Sequence, residues 1–312
     1  MRVVVVGIGV QGRKRRTIAG DEVVATVDPI ADGVDYDNLE DVCLDSYDAA
    51  LVCTPDDAKE SLLRYLLGHG KHVLVEKPLV ATTTEALRDL AALARDNKAV
   101  CYTAYNHRFE PHFVRMKQCI DSGMLGRIYS CRMFYGNGTA RLVRDSRWRD
   151  QGAGVLGDLG SHLLDTANYW FGTRPTSFEV VSSNSFENRA PDHVVLVNDA
   201  VSPRLEFEMT LLMWRNHFTC DVLGEKGSAH IESLCKWGPT TFRQRTRVLP
   251  SGRPEEDSET LEQDDPTWGL EYDHFKALCA APGEASLDTD IWISDELARL
   301  SGPAIRIASK AK

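Results

Sequence analysis

The feature that most constrains the fold is a glycine-rich turn placed directly after an apolar run at the start of the chain. The run is Val3–Val6, and the turn that follows it reads Gly7-Ile8-Gly9-Val10-Gln11-Gly12. Gly7 permits a tight turn, Gly9 lets the backbone approach a pyrophosphate, and Gly12 lets the following helix pack close to the strand. The N-terminus of that helix offers free N–H groups and the positive end of its dipole to an anion. With an acid, Asp28, at the end of the second apolar run, the pattern predicts a dinucleotide-binding unit.

The acid and a nearby basic stretch bear on which dinucleotide is bound. Asp28 can accept hydrogen bonds from ribose hydroxyls and would repel a 2′-phosphate, which favours NAD over NADP. The four cations Arg13-Lys14-Arg15-Arg16 lie in the first helical turns, where the helix dipole disfavours positive charge. A pyrophosphate or a 2′-phosphate could offset that charge, so NADP stays possible. For Lys14 to Arg16 we favour the simpler interpretation, a solvated basic face.

The order of apolar runs predicts two domains. In the first third, short continuous runs alternate with helical stretches, which is typical of a doubly wound parallel sheet. These runs are Val3–Val6, Val23–Val27, Ala49–Cys53, Val73–Val75 and Ala99–Tyr102. Longer, alternating strands follow, which favours an α+β domain with a large, open, mostly antiparallel sheet. We therefore predict a Rossmann domain over 1–110 and a substrate-binding and oligomerisation domain over 111–312, with the acidic stretch Arg253–Asp265 as a surface loop.

Charge and composition exclude several classes of function. The net charge of −10 disfavours binding to the phosphate backbone of nucleic acids. The longest apolar run, Val3–Val10, is far shorter than the roughly 20 residues of a membrane span. It lacks the basic region and cleavage site of a secretion signal, so we expect a cytoplasmic protein without membrane contact. The eight cysteines form no C-x-x-C pair and the histidines no H-x-x-x-H pair, so we expect no metal site.

Two further segments carry residues suited to catalysis. Lys77 stands at the carboxyl end of the fourth apolar run, where ligands bind in such sheets, and Pro78 behind it fixes the backbone and can form a cis bond. Farther along, Asp158, His162 and Asp165 recur at i, i+4 and i+7 of a predicted helix. A carboxylate one turn from a histidine can fix its tautomer and stabilise its cation, which suits proton transfer near neutral pH.

Taken together, these motifs resemble the Gfo/Idh/MocA oxidoreductase family from Met1 to about Gly172. The motifs are the glycine turn, Val52-Cys53-Thr54-Pro55, Gly70-Lys71-His72-Val73, Glu76-Lys77-Pro78, Asn106-His107-Arg108-Phe109 and the helix with Asp158, His162 and Asp165. Beyond that point the similarity is only architectural. The resemblance implies a Rossmann domain, a second domain with an open sheet, and a homodimer or homotetramer formed through that sheet.

The resemblance also implies roles for individual residues. Lys77 would bind the substrate oxygen and assist proton transfer, and His162 would exchange the hydroxyl proton. Asp158 would orient that pair or bind a neighbouring hydroxyl. The nicotinamide half of the cofactor would be lined by Thr54, Pro55, Glu76 and Asn106, with Trp148 and Arg149 beside it. Asp165 would support these residues or serve the fold alone.

The implied activity is hydride transfer between nicotinamide C4 and a carbinol or ketone of a sugar, cyclitol or nucleotide-sugar. Arginine forks recognise carboxylate or phosphate, so Arg108 and the cluster of Arg141, Arg144, Arg147 and Arg149 suggest an anionic substrate. Local pairing with Asp145 and Asp150 is the alternative for that cluster. Two other functions stay open: an NAD-sensing regulator without catalysis, and an NAD-assisted glycosidase.

Overall fold

The protein, seen here in a computed structural model, divides into two compact units. The structure describes residues 1–79, 83–146, 149–172, 174–175, 177–200 and 202–310, without the side chain of Glu284. The first unit comprises Met1–Asn106 and Pro266–Ser294, and the second comprises His107–Asp265 and Asp295–Lys312. The stretch 266–294, which the sequence-based division assigns to the second domain, thus makes its contacts within the first unit. The assignment of residues 1–110 to cofactor binding and of residues 111–312 to substrate binding and oligomerisation stays a prediction.

The first unit contains the predicted doubly wound parallel sheet. Its strands are β1 (Val3–Val6), β2 (Val23–Val27), β3 (Ala49–Val52), β4 (His72–Glu76) and β5 (Cys101–Ala104), in the order β2-β1-β3-β4-β5. The helices that alternate with them are α1 (Val10–Ala19), α2 (Asp56–Gly68) and α3 (Thr84–Asp96). The four valines of β1 are all buried, since both faces of the sheet are covered, and this explains why the run is continuous rather than alternating.

The second unit is built on one eight-stranded sheet. Its strands are β6 (Ile128–Gly136), β7 (Glu179–Asn184), β8 (His193–Asn198), β9 (Arg204–Thr210), β10 (His217–Gly224), β11 (Gly227–Glu232), β12 (Thr240–Thr246) and β13 (Glu255–Leu261). The order is β13-β12-β11-β10-β6-β9-β8-β7, and every pair is antiparallel except β6 with β9. Its helices include α4 (Pro111–Asp121), α5 (Ala140–Arg144) and α6 (Ser161–Phe171), the last preceded by a π-helical turn over Leu156–Gly160. The mostly antiparallel second sheet is therefore confirmed.

One prediction for this sheet was wrong. The stretch Arg253–Asp265 contains β13, an edge strand, instead of being only a surface loop. An edge strand can stay solvated on both faces, so its sequence needs no apolar residues. Cross-strand charge holds it in register: Arg245 Nε lies 2.6 Å from the Glu256 carboxylate. From α4, Arg115 contacts both Asp257 and Glu259 at 2.5 Å.

Two helices complete the chain, α7 (Thr267–Ala280) and α8 (Asp288–Lys310). Helix α7 packs against α1 within the first unit and brings Trp268 and Glu271 to it. The hydroxyl of Tyr272, one turn later, donates to Glu22 at 2.5 Å. Among the described helices, none combines the length and the hydropathy that crossing a bilayer requires.

Candidate functional site

The glycine turn has the geometry that its sequence predicts. Gly7 has φ +88°, a conformation that side chains rarely adopt, and a Cβ on it would lie 2.8 Å from the carbonyl oxygen of Cys53. A Cβ on Gly12 would lie 1.8 Å from the carbonyl oxygen of Gly7, so only glycine lets α1 approach the strand this closely. A Cβ on Gly9 would meet nothing within 4 Å. The packing of the fold therefore requires glycine at positions 7 and 12. At Gly9, by contrast, no described protein atom occupies the space that a side chain would fill.

The start of α1 presents backbone donors to that space. Gly9 is the N-cap residue, and in the described part of the chain no side chain caps the helix and no acid lies in its first turn. The first N–H groups of the helix, from Val10 to Gly12, lack acceptors within the helix. Val10 itself is exposed. A pyrophosphate fits this arrangement, because it supplies the negative charge that the helix terminus lacks.

Asp28 is fixed beside the turn by backbone donors. Its Oδ2 accepts from the N–H of Ile8 at 2.7 Å, and its Oδ1 accepts from Ile30 and Ala31, each at 2.9 Å. Burial opposes the charged form, but the three N–H donors together lower the pKa of Asp28 below its ordinary value. The carboxylate is therefore ionised at neutral pH and held at the carboxyl end of β2, where the sequence places it.

The interpretation of Lys14 to Arg16 as a solvated face was wrong for Arg15. This side chain is only 1% exposed, and its Nε lies 2.8 Å from the carboxylate of Glu76. Its Nη2 lies 2.6 Å from Glu271 on α7, and its guanidinium lies 4.2 Å from the centre of the Trp268 ring. The helix turns this cation toward the sheet, where the two carboxylates compensate its charge.

The end of β4 places Lys77 between two anchored residues. The carboxylate of Glu76 is held by Arg15, and the bond between Lys77 and Pro78 is cis. From α2, the buried amine of Lys59 donates to the carbonyls of Glu76 and Pro78, at 2.7 Å and 2.9 Å. The backbone on both sides of Lys77 is therefore fixed by hydrogen bonds.

Other predicted cofactor contacts lie at the same edge of the sheet. Thr54 and Pro55 follow β3, and Pro55 is the N-cap residue of α2. The hydroxyl oxygen of Thr54 is buried and has no hydrogen-bond partner among the described residues, as expected of a group that awaits a ligand. Asn106 follows β5, and its amide donates to the hydroxyl of Thr267 at 2.8 Å.

In the second unit, His162 is part of a buried aromatic group. It is 7% exposed and stacks on His107, with ring centroids 4.1 Å apart and planes 18° from parallel. Tyr135 meets His162 edge-on at 5.9 Å, and burial raises the pKa of the Tyr135 hydroxyl well above its ordinary value. The Lys236 amine lies 3.5 Å from Nε2 of His107. These contacts fix the plane of the His162 imidazole.

The two acids on either side of His162 each meet an arginine. Asp165 is buried, and Arg108 holds it through contacts from both Nε and Nη2. Burial raises the pKa of Asp165, and the Arg108 guanidinium opposes that rise. Asp158 lies 3.4 Å from Arg149. It belongs to the π-helical turn, whereas His162 belongs to α6, so the regular helical spacing predicted for the pair does not apply.

The remaining arginine cluster is only partly described. Arg147 and Trp148 lie outside the described residues. Arg141 is exposed and faces Glu187 at 3.9 Å. The predicted local partner Asp150 instead accepts from the backbone N–H groups of residues 189 and 190 and lies 3.4 Å from the Arg189 guanidinium.

Sequence reasoning did not identify several residues around the candidate site. They are Lys59, Glu271, Tyr135 and Lys236, together with His107 as the stacking partner of His162. All five lie more than 15 positions from the residue that they support, so no local spacing indicates them. The sequence does carry one signal for Lys59, because a basic residue near the start of a helix, here at the carboxyl edge of the sheet, is disfavoured by the helix dipole.

Comparison with known proteins covers both parts of the chain. Residues 1–105 match the Gfo/Idh/MocA oxidoreductase family, NAD-binding Rossmann fold, and residues 113–230 match the Gfo/Idh/MocA C-terminal domain. An uncharacterised oxidoreductase of Schizosaccharomyces pombe is 34% identical over 142 residues, which cover 44% of this chain and 38% of that protein. Inositol 2-dehydrogenase 1 of Saccharopolyspora erythraea is 38% identical over 127 residues, which cover 40% of this chain and 35% of that protein.

A solved structure extends the similarity of fold to nearly the whole chain. Levoglucosan dehydrogenase in complex with NADH superposes with a TM-score of 0.81 at 19% identity, covering 99% of this chain and 98% of that one. The two sequence relatives, by contrast, are matched over little more than a third of their own length. With both domains matched in sequence, the chain belongs to the Gfo/Idh/MocA family of oxidoreductases.

Proposed function

We propose that the protein is an NAD-dependent oxidoreductase that acts on a CH–OH group of a sugar or cyclitol. The observation that carries this proposal is the glycine turn, where the fold requires Gly7 and Gly12 while the space at Gly9 is open. The uncapped start of α1 and the ionised Asp28 beside it complete a site for a dinucleotide with free ribose hydroxyls. When bound, the nicotinamide supplies or accepts the hydride.

The proposed chemistry uses two groups, the amine of Lys77 and the imidazole of His162. Lys77, on its fixed backbone segment, donates a hydrogen bond to the substrate oxygen and stabilises negative charge that develops there. His162 takes the hydroxyl proton during oxidation and returns it during reduction. The ring of His107 holds the His162 imidazole in one plane, so the proton is exchanged at a fixed position. We assign Asp158 to orienting His162 or binding a neighbouring hydroxyl.

We propose a neutral polyol rather than an anionic sugar as the substrate. The structure describes four arginines of the suggested anion site, and three of them face a carboxylate: Arg108 contacts Asp165, Arg149 contacts Asp158 and Arg141 faces Glu187. The positive charge of these three is therefore compensated within the protein. The names of two related proteins, inositol 2-dehydrogenase and levoglucosan dehydrogenase, support the same class of substrate. We further propose a cytoplasmic homodimer or homotetramer, which light scattering of the purified protein tests.

The test combines cofactor titration with a substrate panel. We expect NADH to bind more tightly than NADPH. We also expect inositols or neutral sugars to reduce NAD⁺, which is followed as a rise in NADH absorbance at 340 nm. Sugar acids and UDP-sugars are included, and activity confined to them would refute the neutral substrate. Lys77→Ala and His162→Ala should each abolish turnover while NADH still binds. Lys71→Ala is the matched control, because Lys71 also donates to a backbone carbonyl in the first unit.

The outcomes separate the parts of this proposal. Unchanged turnover in either variant would falsify the role of that residue. Tighter binding of NADPH would overturn the cofactor preference. Cleavage of a glycoside without added oxidant would identify the glycosidase alternative, and binding of NADH without turnover of any panel member would favour the regulator.

A further inference from the structure

Lys59 is a buried cation in the first turn and a half of α2. It is 1% exposed, and its amine has three acceptors at short distance. The carboxylate of Asp56 lies 2.6 Å away, the carbonyl of Glu76 2.7 Å and the carbonyl of Pro78 2.9 Å. An ammonium has three N–H donors, so each donor has one partner.

The two carbonyls belong to the residues immediately before and after Lys77. Removing the amine of Lys59 would leave both carbonyls without this donor at the carboxyl end of β4. The Glu76 side chain is also engaged by Arg15, so the residue before Lys77 is held through both its side chain and its carbonyl. The position of the Lys77 backbone therefore depends on the amine of Lys59.

We propose that Lys59 is a positioning residue that sets the reactive placement of Lys77 through the backbone on either side of it. This inference rests on the proposed function, in which Lys77 binds the substrate oxygen. A shift of the segment would move the Lys77 amine relative to that oxygen, and small misplacements reduce catalysis strongly because orientation supplies much of the rate enhancement.

Burying the charged amine of Lys59 costs free energy, and this cost favours a positioning role over a role in packing alone. Burial lowers the pKa of Lys59, and the nearby Asp56 carboxylate opposes that effect. The other titratable groups that act on this amine in the described structure are Glu76 and Lys77 at the end of β4 and the Cys53 thiol after β3. An apolar side chain of equal length would fill the same space without this cost but could not hold the carbonyls.

The experiment compares Lys59→Met with Lys71→Met as control and Lys77→Met as reference. In Lys59→Met we expect kcat to fall about 10- to 100-fold while KM for the nicotinamide cofactor stays unchanged. A second readout is independent of activity: reductive methylation of the Lys77 amine in cofactor-free protein, followed by peptide mass spectrometry. The Lys77 methylation rate should rise in Lys59→Met because the segment is released, and should not change in Lys71→Met.

A second variant guards against a failure of Lys59→Met to fold. Asp56→Asn alters a side chain that is 47% exposed and keeps the amine in place. It lowers the pKa of Lys59 further, and the neutral amine donates only two, weaker hydrogen bonds. The rise in Lys77 methylation in this variant should therefore grow toward alkaline pH.

Each outcome bears on one claim. An unchanged kcat in Lys59→Met, or an unchanged Lys77 methylation rate in both variants, overturns the positioning role of Lys59. Full turnover of Lys77→Met instead refutes the role of Lys77 in the proposed function, whatever the methylation of the other variants shows.

Discussion

Two glycines in one turn give a sharp test of what the fold requires and what the ligand requires. In Gly12→Ala the new Cβ would lie 1.8 Å from the Gly7 carbonyl oxygen. Ordinary carbon–oxygen contacts begin near about 3.3 Å. The strand or α1 must therefore move, and such overpacking costs at least about 1–3 kcal/mol of stability. In Gly9→Ala the same methyl group meets nothing within 4 Å.

The stability of Gly9→Ala should be close to that of the wild type. Gly9 has φ −72°, which alanine adopts without strain. Alanine reduces the entropy of the unfolded chain, which stabilises by about 0.4–1 kcal/mol. It is also a poorer N-cap residue than glycine, which offsets that gain. We expect NADH binding, however, to weaken roughly ten- to hundredfold, because the methyl group displaces the pyrophosphate from at least one N–H donor and a charge-assisted hydrogen bond contributes about 1.5–3 kcal/mol.

The assay is urea unfolding followed by circular dichroism, together with a fluorescence titration with NADH for both variants. We expect Gly12→Ala to lose stability and Gly9→Ala to lose affinity without loss of stability. If Gly9→Ala binds NADH as tightly as the wild type, the pyrophosphate does not lie at the start of α1. If Gly12→Ala is as stable as the wild type, the close approach of the helix does not constrain the fold.

Two further predictions concern charge in the first unit. Arg15→Met should destabilise the protein by about 3–5 kcal/mol, because it leaves the buried carboxylate of Glu271 uncompensated. In the same urea experiment the control Arg16→Met, which changes an exposed side chain of the same helix, should have little effect. Equal effects of the two substitutions would contradict the buried ion pair. For Asp28, the lowered pKa means that the ionised carboxylate contributes stability above its ordinary pKa of about 3.9, and that this contribution disappears as pH falls through the lowered folded-state pKa. The stability difference between wild type and Asp28→Asn, measured from pH 7 to pH 2, should therefore shrink below about pH 4; a difference that stays constant or grows would show that the Asp28 carboxylate is not held by the N–H of Ile8 and its neighbours.

The parallel sheet could be predicted almost to the residue. The continuous β-branched run Val3–Val6 is explained by burial on both faces, and the strands at Val3–Val6 and Val23–Val27 begin and end with their runs. The glycine turn was equally informative, because Gly7 and Gly12 each meet a distinct steric requirement of the fold. In these places local sequence and tertiary structure impose the same requirement.

The rest depended on partners that are distant in sequence. Arg15 looks like one cation in a solvated row, and its burial is explained by Glu76 and Glu271, which lie 61 and 256 positions away. Strand β13 has no apolar pattern, because backbone pairing with β12 and cross-strand charge can stabilise a solvated edge strand. The π-helical turn before α6 alters the spacing of Asp158 and His162, and nothing in a periodicity argument indicates it.

The candidate site follows the same division. The types of residue, an amine at the end of β4 and an imidazole on α6, could be read from the sequence together with the family resemblance. Their supports could not, since Lys59 acts through backbone carbonyls and His107 through ring stacking. Contacts of these two kinds produce no regular residue spacing in the sequence.

The central claim, hydride transfer from a substrate carbon to nicotinamide, is tested most directly by isotope transfer. The protein is incubated with NAD⁺ and inositol that carries deuterium on its ring carbons, and the reduced cofactor is analysed by mass spectrometry. Our account predicts reduced cofactor that carries one deuterium, and none of this product with Lys77→Ala or His162→Ala. Reduced cofactor without deuterium, or labelled product at the wild-type rate from both variants, would contradict it.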